Sequence, residues 1–467
     1  MPLSRFIASL GLVIAAMTGC GSVTTDHHGA GVAPAQPAFR QPRELVSKNG
    51  ELKVRLVVES RVVRLAGQEV RALTYDGDYM PPTIRLRPGD RLDLTLVNRL
   101  GEHTNLHTHG WHVSPGDSSD NIYLHIMPGE SYHYTYRLPK DLAPGTYWYH
   151  SHAHPISEPQ VFAGLSGAIV IDGLDRYLPR DLRHVTERLI ALKDFQLHAG
   201  AIPTANIDSN APTTRTVNGL VDPAIDIRPG ETQLWRLANI GADIDYNVRL
   251  QGARFHVLAQ DANPVSTVWS SDTLLMPPGS RFDVLVQGPP AGRTRLVTTP
   301  YNTGPDGDSY PEATLATLVS GGRAMPPTRL PTSFAPFDDL RKDRVAQRRT
   351  ITFSENDSTN QFFIDGKLFD PDRIDVRAKL NTTEEWRVRN VSNEQHTFHV
   401  HVNDFQVISV NGRPYDSRGW QDTVQLPTRG EVVIRMRFRD FLGKYPFHCH
   451  ILNHEDRGMM ANIDVVR

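Results

Sequence analysis

A turn followed by a short amphipathic strand recurs along this chain at a near-constant interval, and that recurrence limits the fold more than any other feature. Arg87-Pro88-Gly89-Asp90 leads to Val97-Asn98, Arg228-Pro229-Gly230-Glu231 to Ala238-Asn239, and Leu380-Asn381-Thr382-Thr383 to Arg389-Asn390. The terminal asparagines lie 141 and 151 residues apart. Each unit is followed by a second of the same style, at Met127-Pro128-Gly129-Glu130, Pro277-Pro278-Gly279-Ser280 and Pro427-Thr428-Arg429-Gly430. Within the units Leu52, Val54 and Leu56 alternate with Glu51, Lys53 and Arg55, and Leu92, Leu94 and Leu96 alternate with Arg91, Asp93 and Thr95. Period two over such runs means half-buried strands. Three copies of one all-β domain is the economical account, and 467 residues leave room for about three. Short strands between turn signals suit antiparallel sandwiches better than a parallel sheet. The expected domains span 46–178, 179–325 and 346–467, with a Pro-rich linker over 326–345.

Lys and Arg total 50 against 52 Asp and Glu, a net charge of -2, so nothing favours gripping a nucleic-acid backbone. The N-terminus has its own logic. Arg5, an apolar stretch from Phe6 to Met17 and then Thr18-Gly19-Cys20 form an export signal whose apolar part is short for a bilayer span. The Met-Thr-Gly-Cys ending resembles a bacterial lipobox, which predicts a signal over 1–20 and a lipid anchor at Cys20, the one contact with a membrane. Residues 21–45, including His27 and His28, have the composition of a flexible tether.

Twenty histidines are the unusual entry, and they are not scattered. His-x-His occurs at His107/His109, His150/His152, His152/His154, His399/His401 and His448/His450, where chance would give roughly one pair. On an extended segment residues i and i+2 point the same way, with Cα atoms about 6.6 Å apart, so each pair can reach two neighbouring metal ions. In His448-Cys449-His450 the cysteine must face the opposite side, and one strand then serves two sites. On the cysteine side His396, His454 and Met459 complete a set of thiolate, imidazoles and weak thioether that suits a blue electron-transfer copper. Zinc competes for Cys and His, but structural zinc usually recruits several cysteines and only Cys449 is available.

Leu106-His107-Thr108-His109-Gly110, Gly145-Thr146-Tyr147-Trp148-Tyr149-His150-Ser151-His152, His396-Thr397-Phe398-His399-Val400-His401 and the run from His448 to Met459 resemble, in order, the four copper motifs of the multicopper oxidases. The resemblance implies three cupredoxin-like domains of the bacterial laccase-like kind. It implies four copper ions: a type 1 copper held by His396, Cys449, His454 and Met459, a type 2 copper held by His107 and His399, and a type 3 pair held by His109, His150, His152, His401, His448 and His450. The cluster is expected at the seam between the first and third domains. The middle domain, with His184, His198 and His256 but no ligand pattern, is expected to act as a spacer that holds the other two in register. Thr108 stands where the family commonly has Trp, and Val402-Asn403 where Gly is frequent. His112, His125, His133 and His154 match no ligand position.

The implied reaction couples four one-electron oxidations of a small reducing substrate to reduction of O2 to water. Its protons call for carboxylate relays, for which Glu455 and Asp120 are the candidates, with Asp117 competing for the second place. With nine Met and no methionine-rich segment, phenolic or other organic donors are favoured over Cu(I), Fe(II) or Mn(II). A copper nitrite reductase, which needs a mononuclear second copper, and a periplasmic copper-binding lipoprotein or copper-free scaffold are the competing readings.

Overall fold

The computed structural model describes residues 36–356 and 358–467. Cys20, His27 and His28 lie outside the described residues. Gln36–Arg467 is one compact unit built almost entirely of strands. In its first third the sheet Glu44–Val46, Thr83–Leu86, Ser166–Ile171, Gly145–His150, His107–His109 shares a core with the sheet Gln68–Tyr75, Glu51–Leu65, Arg91–Asn98, Ser131–Arg137. Six-stranded and five-stranded sheets pair in the same way in the middle third, and again in the last third. The alternation read from the sequence holds, with Leu92, Leu94 and Leu96 buried on Arg91–Asn98 and alternate residues buried along Glu431–Phe438.

Most neighbouring strands are antiparallel, but each sandwich contains the same parallel pair. These pairs are Glu51–Leu65 with Arg91–Asn98, Thr186–Phe195 with Thr232–Asn239, and Val345–Asn356 with Thr382–Asn390. The strand that follows each repeated turn therefore occupies an equivalent place. Its terminal asparagine has an equivalent task. Asn98 donates to the carbonyls of Glu102 and Ile126 at 2.8 Å and accepts from Leu100 N–H at 2.8 Å. Asn239 donates to Ile244 and Met276 and accepts from Gly241, while Asn390 donates to Glu394 and Leu426 and accepts from Ser392. Each buried amide satisfies backbone groups that the strand end would otherwise leave unpaired.

The tether expected over 21–45 is corrected from residue 36 onward. Glu44–Val46 adds a parallel strand to Thr83–Leu86, Phe39 N–H donates to Ala224 O at 2.9 Å, and Phe39 packs against the middle core. Composition favoured a loose segment, but two sheet edges offered backbone partners. The Pro-rich stretch 326–345 is likewise strapped to the middle sandwich, through Val268 N–H to Thr332 O and Phe334 N–H to Ser266 O, both at 3.0 Å.

Close approach between sandwiches depends on small residues. A Cβ on Gly145 would lie 2.7 Å from the Ala262 backbone, so no side chain fits where the first sandwich touches the middle one. Lys193, on Thr186–Phe195, crosses the same seam fully buried. Its ammonium donates to the carbonyls of Tyr79 and Gly164 at 2.9 Å and of Ser166 at 3.2 Å, over the Tyr79 ring. Burial lowers its pKa to about 7, against the opposing pull of the Asp194 charge. Lys193→Met strands those carbonyls at about 1–3 kcal/mol each. The variant should lose about 3–5 kcal/mol, read as a lower urea midpoint; an unchanged midpoint would remove Lys193 from the seam.

Candidate metal centre

The first and third sandwiches supply four histidines each to one buried cluster. His107–His109 lies at the sheet edge and pairs with Gly145–His150, which sets His107 opposite His150. His396–Val400 pairs with Gly443–Cys449, which sets His399 opposite His448 and Phe398 opposite Cys449. All eight cluster histidines are at most 2% exposed. Rings from the two sandwiches stack on each other, His107 on His401 at 4.0 Å and His109 on His399 at 3.9 Å between centroids.

Their nitrogens divide into inner and outer sets. His448 Nε2 lies 3.4 Å from His152 Nε2 and 3.2 Å from His401 Nε2, and His450 Nε2 lies 3.1 Å from His109 Nδ1. Three donor triplets have all atoms within 4.8 Å of one another: His152/His401/His448, His107/His399/His401 and His107/His109/His150. Nε2 of His107, His150 and His399 is buried with no hydrogen-bond partner. Four outer nitrogens, in contrast, are anchored. His107 Nδ1 donates to Asp120 Oδ2 at 2.7 Å, His399 Nδ1 to Asp422 O at 2.7 Å, His150 Nδ1 to Ser151 O at 2.8 Å and His448 Nδ1 to Cys449 O at 2.9 Å. An acceptor on the far nitrogen fixes the tautomer and aims the near lone pair at a metal. Burial pushes His150 down to about 3 and His152 to about 4, so both are neutral and ready to donate a lone pair at ordinary pH. Convergent imidazoles, three of them with an inner nitrogen that has no hydrogen-bond partner among the described residues, fit copper.

On the other side of the same strand, Cys449 Sγ lies 3.9 Å from His396 Nδ1 and 3.7 Å from His454 Nδ1. The two imidazole nitrogens are 3.1 Å apart. His396 Nε2 is held by Ser392 Oγ, and the His454 ring stacks on Phe362 at 4.0 Å. Met459 is buried in the same core, and its carbonyl accepts Cys449 N–H at 3.0 Å. Burial pushes the Cys449 thiol well up, so a bound cation is what would favour its thiolate.

Both acids named from the sequence touch cluster histidines. Asp120 accepts from His107 and from Thr108 N–H at 2.9 Å, and burial raises its pKa to about 7. Asp117 is exposed in a left-handed turn away from these contacts. Glu455, on the short helix Leu452–Asp456, places Oε2 2.9 Å from His448 Nδ1 and Oε1 3.3 Å from His152 Nδ1.

The two departures from the family pattern acquire physical roles. Thr108 donates its hydroxyl to Asp120 Oδ1 at 3.1 Å. Val402 adopts φ +68°, a conformation that favours glycine, and His112 holds it by donating Nδ1–H to the Val402 carbonyl at 2.6 Å. His112 thus links the first and third sandwiches. His154 packs on Phe369, His125 against His103, and His133 is exposed beside Thr95.

Sequence reasoning missed three buried neighbours. Trp148 stacks on His150 at 4.1 Å. Asp422 Oδ1 lies 3.1 Å from His109 Nε2, and Arg281 of the middle sandwich pairs with both Asp422 oxygens. The middle sandwich is therefore more than a spacer, for its Gly279 turn also presses on the cluster. A Cβ there would stand 3.1 Å from His109 Cε1 and 3.2 Å from His450 Cδ2. The available signal was the second repeat turn: Gly279 N–H donates to Asn239 O as Gly129 N–H donates to Asn98 O in the first copy, and Arg281 follows two residues on.

Three family models, each described as multicopper oxidase, match residues 57–175, 184–322 and 341–467. A multicopper oxidase of Staphylococcus aureus is 28% identical over 86% of this chain and 85% of its own length. A cell division protein FtsP of Edwardsiella tarda is 28% identical over 99% of this chain and 98% of its own. Among solved structures, a Campylobacter jejuni multicopper oxidase described as a metallo-oxidase superposes with a TM-score of 0.81 at 28% identity, covering 92% of this chain and 95% of that one. With the cupredoxin-like sandwiches and the copper-fitting clusters, these matches place the chain in the multicopper oxidase family, as a copper-dependent oxidoreductase.

Proposed function

We propose that the chain is an exported laccase-like oxidase whose type 1 copper is held by His396, Cys449, His454 and Met459. His107 and His399 hold the type 2 copper, and His109, His150, His152, His401, His448 and His450 hold the type 3 pair. Domains at 46–178 and 346–467 carry these sites, and the domain at 179–325 contributes no ligand. One observation carries the reading: a single tripeptide, His448-Cys449-His450, faces a sulfur-and-imidazole site on one side and a cluster of eight imidazoles on the other. Bound copper supplies one-electron storage at each ion and, at the cluster, the reduction of dioxygen to water.

The chain's own residues do the rest. Cys449 is joined to His448 and His450 by one peptide bond each, so the two sites share a covalent path. Burial of every cluster histidine excludes bulk water. Glu455, between His448 Nδ1 and His152 Nδ1, is placed to hold and pass a proton at the cluster. Asp120 orients His107 and is the second proton carrier.

The electron donor is a small phenolic or other organic reductant that meets the protein at His454; the scarcity of methionine supports this over a cuprous substrate. A reduced metal ion is the second reading, favoured by Glu394 Oε2 at 3.6 Å from His454 Nε2 and by the description of the Campylobacter relative. Oxygen uptake by copper-loaded protein against phenols, aromatic amines and reduced metal ions separates the two. One relative bears the name of a cell division protein, but the filled ligand positions favour oxidation. Cys20 is the lipid anchor that holds the exported protein at the envelope, and Cys20→Ser should release it to the soluble fraction; continued membrane recovery would remove the anchor.

Two substitutions test the assignment of roles. Cys449→Ser should abolish the blue absorption and turnover of every one-electron donor while leaving thermal unfolding close to that of the parent. Any variant that still oxidises a donor would sink the type 1 assignment. Glu455→Gln should slow reoxidation of the reduced enzyme by O2 about a hundredfold with its reduction by donor unchanged. Equal reoxidation rates in stopped-flow mixing would relieve Glu455 of the role.

A further inference from the structure

We propose that the middle domain clamps the imidazole cluster, with Arg281 acting as a positioning residue that sets His109 and His399 through Asp422. The inference rests on the reading of that cluster as a copper site. Arg281 is fully buried and its donors reach all three sandwiches. Nη1 and Nη2 donate to Asp422 Oδ1 and Oδ2 of the third sandwich at 2.7 and 2.6 Å, Nε donates to Thr146 O of the first at 3.2 Å, and Nη1 donates to Gly279 O of the middle one at 2.9 Å.

Asp422 passes that placement on in two directions. Its Oδ1 accepts from His109 Nε2 at 3.1 Å, and its main-chain carbonyl accepts from His399 Nδ1 at 2.7 Å. These two rings come from different sandwiches and stack 3.9 Å apart at 14°. One residue thus holds the outer nitrogens of two facing ligands. His109, His399 and Asp422 also bring three donor atoms within 4.8 Å, but the nitrogens involved are the outer ones and the carboxylate is already neutralised by Arg281, so Asp422 orients ligands instead of binding metal.

The fork geometry matters as much as the charge. A guanidinium can bond both carboxylate oxygens in one plane, whereas an ammonium offers a point charge that leaves the carboxylate free to turn. Without a bidentate partner, the Asp422 carboxylate would be free to rotate, and rotation alters the acceptor seen by His109. The room for this pair is reserved by glycine. A Cβ on Gly110, at φ +87°, would stand 2.5 Å from Arg281 Nη2 and 2.6 Å from Asp422 Oδ2. Together with the Gly279 turn against His109 and His450, the contact explains why a domain without ligands is packed against the cluster.

The test compares holoenzyme carrying Arg281→Lys, Asp422→Asn or, as a control, Arg236→Lys. Arg236 is an equally buried arginine of the middle domain that pairs with Glu187 and Asp283 and touches no cluster histidine. Copper retention against a chelator, the EPR signal of the non-blue copper and the blue absorption are measured. Arg281→Lys and Asp422→Asn should each weaken retention of cluster copper about 10–100-fold and shift the non-blue EPR signal, with the blue absorption unchanged. Arg236→Lys should lower thermal stability without moving the EPR signal. Parent-like retention and EPR in Asp422→Asn, or in a folded Arg281→Lys, would overturn the proposal; Asp422→Asn, nearly isosteric, decides it even where Arg281→Lys fails to fold. A parent enzyme with no non-blue copper signal would instead overturn the oxidase reading itself.

Discussion

Eight imidazoles buried between two sandwiches, their inner nitrogens turned on one another and those of His107, His150 and His399 without a hydrogen-bond partner among the described residues, are the constraint on which the rest of this molecule depends. A buried polar atom without a partner costs about 1–3 kcal/mol, and several together form an arrangement that only cations can satisfy. The surrounding structure serves this arrangement. Asp120, Asp422, Ser151 and the Cys449 carbonyl each take an outer N–H, so that the lone pairs which remain can point only inward. Burial then keeps rings such as His150 and His152 neutral, which metal binding requires.

The three sandwiches share a scaffold but not a task. Asn98, Asn239 and Asn390 close equivalent strand ends with equivalent bonds, and the same parallel pair lies beside each. The outer two copies carry the metal donors, on strands where alternate residues share a face. The middle copy carries none, and its contribution is electrostatic and steric: Arg281 reaching across to Asp422 and a glycine turn seated against two ligand rings. Retention of that copy in a chain whose ligands all lie elsewhere follows from the need to hold the two ligand-bearing sandwiches in register.

How much of this could be read from the chain depends on how local the signal was. Period-two alternation and i, i+2 histidine pairs are local patterns with one geometric consequence each, so the strands, the two faces of His448-Cys449-His450 and the grouping of the histidines were legible. The Arg281–Asp422 pair was not, because 141 residues separate the partners and neither stands in a recognisable spacing with a histidine. The choice between Asp117 and Asp120 was open for a related reason: both follow the first motif, and only the turn that sends Asp117 to solvent separates them. Residues 36–45 have the composition of a tether, and composition records what a segment contains and says nothing of the sheet edges waiting for it.

The central claim is that the sulfur site and the imidazole cluster work as one device, collecting single electrons and delivering them to dioxygen in a set. The most direct measurement is the stoichiometry of donor oxidised per O2 consumed by the copper-loaded chain, made together with an assay for hydrogen peroxide. The account predicts four one-electron donor equivalents per O2 and no peroxide. Two equivalents per O2 with peroxide accumulating in step would contradict it.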